Sequence, residues 1–238
     1  MLDSRYIAQD GLVKLSPDDI YVNPYNNLTT PKNENGLTYM GIASLLGLYP
    51  LDPAATVRLC QHVQHPALLH RRAGLARRTQ AQDDYIGAIT ALSAQSFPHP
   101  FALTVVDYGY RTGWCYNNVA PGQYSIRQTR QLGDVAWLKW MAGLRPHILE
   151  ALWFILGTLI NAFHSRPSET QLTWMRLSAL MRYSDQRYSP SMRALTHLWV
   201  WIKSKRVKSM ADNARRYYKD PDHPFHGAFR SLDSGFGL

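Results

Sequence analysis

The run from Ala151 to Phe163 is the most apolar stretch of the chain, and it spans only 13 positions. A membrane-crossing helix needs about 20 apolar residues. The run therefore predicts a helix buried in a protein core. It opens at Pro146, reaches about His164, and organises the other helices around it as antiparallel hairpins.

Proline, glycine and capping residues punctuate the rest. Leu37, Met40, Gly41, Leu45 and Leu48 share one face of a helix from about Gly36 to Tyr49, ended by Pro50. Asp52-Pro53 is an N-cap followed by a first-turn proline and opens a helix to about Val63. Thr79 with Gln82 fits a capping box for a helix to about Gln95, and Ser168 with Gln171 fits another for a helix to about Tyr183. Phe101 to Tyr108 reads as a short helix or strand, Arg111 to Ser125 as a loop, and Gln131 to Leu144 as a helix. Ser189-Pro190 starts a last helix that reaches Tyr218. The fold class expected is all-α: one helical domain over residues 36–219, an extended N-terminal arm over 1–35 and an irregular strap over 220–238.

A chain of 238 residues that is 45% hydrophobic can bury a sizeable core. The net charge of +9 favours anionic partners: nucleic acid, charged glycan, or acidic head groups. Cys60 and Cys115 are too few for a disulfide framework or a zinc site, and their redox state is open. The first 15 residues lack the basic and apolar segments of a signal peptide.

The densest chemistry lies between His70 and Tyr85. Arg71, Arg72, Arg77 and Arg78 can bind phosphate or carboxylate through bidentate forks, or pair with Asp83 and Asp84 in a structural ion network. Those two acids sit in the first turn of a helix, where the macrodipole favours negative charge with or without a catalytic role. One of them is a candidate general base. Glu34, just before the Gly36 helix, is the candidate acid, against a simpler reading as an exposed residue beside the capping Asn35. Trp114, Tyr116, Asn117 and Asn118 suit a sugar or base platform, unless Trp114 plugs the core and the asparagines make turns. His62/His65 and His223/His226 are spaced three apart without an accompanying ligand set, so no metal and no cofactor is expected. The basic residues between Lys203 and Arg216 surround the last helix rather than forming a stripe.

Two resemblances arise at these residues. The segments Glu34-Asn35-Gly36-Leu37-Thr38-Tyr39-Met40-Gly41 and Gln82-Asp83-Asp84-Tyr85-Ile86-Gly87 resemble helix starts of α/α-toroid enzymes that act on polysaccharides. This implies a partial α/α toroid, with Asp83 or Asp84 as base, Glu34 as acid and Tyr85 in the substrate site. The order of those segments, then Tyr116 to Gly122 and Asp222 to Phe225, is similar to uncharacterised proteins of tailed bacteriophages. That resemblance implies a source, in the host cytoplasm or the virion.

Three functions follow as expectations. The first is a phage-encoded glycan-active protein that binds, and by carboxylate chemistry cleaves, an anionic or cell-wall polysaccharide. The second is a non-catalytic virion or host-takeover protein binding nucleic acid or a protein through its basic surface. The third is a homo-oligomeric subunit whose arm and strap wrap a neighbour. For the first, the loops carrying Glu34, Arg71 to Asp84 and Trp114 to Asn118 should converge on one end of the bundle.

Overall fold

The helix at the centre of the molecule is not the apolar run but the earlier Gly36–Leu45 helix. The computed structural model describes residues 1–24, 26–32, 35–63, 65–71, 82–114, 132–161, 167–191, 193–194, 196 and 222–226. In chain order the elements are β1 (Tyr21–Val22), β2 (Thr29–Thr30), α1 (Gly36–Leu45), α2 (Pro53–Cys60), β3 (Gln61–His62), β4 (His65–Leu69), α3 (Gln82–Gln95), α4 (Pro100–Thr112), α5 (Leu132–Met141), α6 (Ile148–Asn161) and α7 (Pro167–Arg187). A mainly helical single domain results, with two small two-stranded antiparallel sheets among the described residues.

Every residue of α1 except Ser44 is buried. A helix that is apolar all round belongs inside a protein. It packs chiefly on α3, with α7 and α2 completing its surroundings. Two glycines set the α1–α3 distance. A Cβ on Gly87 would run into the Leu37 carbonyl and the Thr38 Cα, and one on Gly41 would lie 2.6 Å from the Gly87 oxygen. Neither position accepts a side chain without moving backbone.

Local signals account for several ends. Asp52 accepts from the Ala54 N–H at 2.9 Å, as the Asp-Pro pair predicts. α1 stops four residues before its expected end, because Gly47 turns left-handed at φ +67° and the N–H groups of Leu48 and Tyr49 fold back onto the Ala43 carbonyl. α2 stops at Cys60 rather than Val63, since the chain turns there into the β3–β4 hairpin. Residues 100–112 form one full helix, with the His99 Nδ1 accepting from the Phe101 N–H at 3.2 Å, so Arg111 is helical and not in a loop. Of the last expected helix, Ser189 to Tyr218, most lies outside the described residues. So do Thr79 and Cys115.

The expected central helix is instead peripheral. α6 packs mainly on α5. Phe154 turns inward and is 2% exposed, whereas Ile148, Leu149, Leu152 and Trp153 are each about half exposed or more. Glu150 also turns inward, and both of its oxygens accept from the Lys139 Nζ at 2.7 Å. Hydrophobic composition marked this helix as apolar but could not say which neighbour each side would meet. A second buried pair, Arg176 and Asp134 at 2.7 Å, ties α7 to α5.

The N-terminal segment is irregular, as its composition predicts, yet it is part of the core rather than a free arm. Leu2, Tyr6, Leu12 and Val13 are buried. The described part of the expected strap meets it: the His223 ring lies 5.3 Å from the Tyr6 ring and 4.7 Å from that of Phe225, which is fully buried. The described residues of both segments pack on their own chain. No helix among the described residues is long and apolar enough to cross a membrane.

Candidate functional site

The β3–β4 hairpin delivers a buried polar cluster to the first turn of α3. The strands pair Gln61 with Leu69 and His62 with His65, with an irregularity between Gln61 and His62. Beyond β4 the chain stays on α2, where the His70 N–H donates to the Cys60 carbonyl at 2.6 Å. This brings the His70 ring over that of His62, with centroids 4.5 Å apart, and both rings are buried. The next residue, Arg71, places its Nε 3.4 Å from the Asp84 Oδ2.

Asp84 is only 1% exposed. Asp83, one position earlier on the helix, is half-buried. Beneath them lies Cys60, a free and fully buried thiol. Burial pushes its pKa well above the usual thiol range, and the nearby carboxylates of Asp10 and Asp84 push it further the same way. A thiol held neutral in this way is a poor nucleophile. Asp10 is buried as well, and its Oδ1 accepts from the Leu12 N–H at 3.1 Å. The cluster thus joins four parts of the chain: the N-terminal turn, α2, the hairpin and α3.

Several site expectations change in this light. A general base must reach the proton it removes. Asp84 is sealed from solvent and engaged by Arg71, two residues beyond the end of β4. Tyr85 is buried, and its hydroxyl donates to the Ala67 carbonyl at 2.9 Å. Trp114 takes the simpler of its two readings. It packs on the core, its ring lies 5.2 Å from that of Tyr110, and its backbone N–H donates to the Gly109 carbonyl at 2.6 Å. Its backbone is left-handed at φ +63°, immediately after the left-handed Gly113. Arg71 and Asp84 are brought together as an ion pair, the structural alternative for that segment. Glu34, Arg72, Arg77, Arg78, Tyr116, Asn117 and Asn118 lie outside the described residues, and with them most of the expected convergence of the three loops.

His62 and His65 are register partners in the hairpin, but their rings have different neighbours. His62 faces His70, while the His65 ring packs on Tyr108 at 4.4 Å and its Nδ1 accepts from the Ala67 N–H. Among the described residues, no group of three or more His, Cys, Asp or Glu is arranged to hold a metal ion. Asp10 and Cys60 join the cluster without a sequence signal, because contacts between distant residues leave no periodic trace. A breaker at His65-Pro66 followed by a short apolar run was the available signal for the hairpin.

No family model, curated protein or solved structure matches the chain.

Proposed function

We propose that this chain is a non-catalytic binding protein that takes up an anionic polymer through the arginine-rich segment between β4 and α3, and that nucleic acid is the polymer it fits best. The observation that supports this is the Arg71–Asp84 pair. It commits one arginine and one acid of the segment to each other. Arg72, Arg77 and Arg78 are then set against Asp83 alone, a local excess of positive charge within a chain of net charge +9. Guanidinium forks match phosphate oxygens, and an array of them binds nucleic acid with a strong dependence on salt. The likeness to tailed-bacteriophage proteins favours a virion or host-takeover setting.

A second reading keeps glycan cleavage, with Asp83 as base and Glu34 as acid. It is favoured by one observation: Asp83, unlike Asp84, is only half-buried. Under this reading Asp84 positions the segment and does not touch substrate. Binding of labelled DNA and RNA at several salt concentrations tests the first reading. Turnover on peptidoglycan and acidic polysaccharides, wild type against Asp83→Asn, tests the second.

A further inference from the structure

We propose that the outer face of α6 is an interface between two copies of this chain, with the two α6 helices crossing antiparallel about a twofold axis. Ile148, Leu149, Leu152, Trp153 and Leu156 line that face and are 70%, 56%, 49%, 51% and 46% exposed. They recur at the spacing of adjacent helical turns and so form one continuous stripe. The only charged residue of α6 is Glu150, and Lys139 holds it on the inner side. The stripe therefore carries no charge to repel an identical stripe, which a twofold interface requires.

Size and charge agree with this occupant. The five side chains expose roughly 500 Å² of apolar surface, toward the upper end for a single patch on a monomer. A standard interface takes roughly 800 Å² from each partner, so the stripe would supply its apolar centre and the polar flanks the remainder. Exposed Arg145 and His147 precede the N-terminus of α6. An antiparallel crossing sets them against the C-terminal end of the other α6, where the helix dipole favours positive charge. Trp153, near the middle of the stripe, has the residue type most often found as an interface anchor.

The test is sedimentation equilibrium of the full chain across the micromolar range. The wild type should be a dimer, and Leu152→Glu, with unchanged circular dichroism, should dimerise at least tenfold more weakly. A second measurement does not depend on that variant folding. In a Cys115→Ser background, Trp153→Cys should form a disulfide-linked dimer under mild oxidation faster than Val63→Cys, whose position is 98% exposed and far from α6 in sequence. A wild type that is monomeric throughout the range overturns the proposal, and co-sedimentation with anionic vesicles would then identify a lipid surface as the occupant. A dimer that persists in Leu152→Glu without Trp153→Cys cross-linking overturns it as well.

Discussion

Arg71 and Asp84 meet at 3.4 Å across the segment that separates β4 from α3, and Asp84 is almost completely buried. A carboxylate taken out of water in this way needs its cation. Removing one partner of a buried pair typically costs more than the pair itself contributes. Arg71→Ala should therefore destabilise the protein by about 3 kcal/mol in urea unfolding. The double variant Arg71→Met with Asp84→Leu should lose clearly less, because no buried charge is stranded. Equal losses in the two proteins would mean that the pair is not what holds this junction.

Gly87 allows α1 and α3 to touch backbone to backbone. Gly87→Ala puts a methyl group into the Leu37 carbonyl, which has no side-chain freedom with which to yield. The expected loss is about 3 kcal/mol or more, with the melting transition broadened or lost. Gly157→Ala is the control, since open space surrounds its Cβ position. Thermal melts of the two variants should separate them without ambiguity.

Much of the helix content was legible in advance, and the reasons are local. Asp52-Pro53 specifies a helix start through a backbone hydrogen bond two residues away. α3 ends at Gln95, where expected, and α5 at Met141, three residues before its expected end. The hairpin was not legible, and neither was the exchange of roles between α1 and α6. Both helices are strongly apolar, and only the shape of their neighbours decides which one is enclosed. The site was legible in part: Arg71 and Asp84 were expected either to pair or to bind, and they pair. Cys60 and Asp10 join them through contacts between residues far apart in sequence.

Stability should fall on the alkaline side. Burial raises the Cys60 thiol well above its ordinary range and lifts Tyr49 to about 12. Both groups are neutral in folded and unfolded chains below their ordinary values. Above those values the unfolded chain loses protons that the folded chain keeps, so stability declines as pH rises toward the folded values. Tyr49 acts between about pH 10 and pH 12, at up to about 1.4 kcal/mol per pH unit. Its hydroxyl donates to the Gly11 carbonyl at 2.7 Å, so Tyr49→Phe should flatten the alkaline decline while lowering stability at neutral pH. Urea midpoints from about pH 8 to pH 11.5 measure both effects.

On the acid side His99 contributes with the opposite sign. Burial lowers its pKa, and its Nδ1 must be unprotonated to accept from the Phe101 N–H. Stability from this cap is present above the ordinary histidine value and is lost as pH falls through the lowered folded value. His99→Asn, which caps without titrating in this range, should reduce the dependence of stability on pH just below about 6.5.

Phe225 fastens the described part of the C-terminal segment to the N-terminal one through His223 and Tyr6. Phe225→Ala should cost about 3–4 kcal/mol. Hydrogen exchange should show the loss first in residues 1–15, the segment on the other side of that contact. Uniformly faster exchange across α1 and α3 instead would place Phe225 in the main core.

Salt-dependent nucleic-acid binding would show whether the arginine-rich segment takes up a polyanion. Fluorescence anisotropy with labelled single- and double-stranded oligonucleotides would compare wild type with Arg72→Gln/Arg77→Gln/Arg78→Gln. Wild-type affinity should fall steeply with salt, and the triple variant should bind more weakly with a slope smaller by about two to three. Binding that is absent in both proteins, or that is unchanged by the three substitutions, would contradict it.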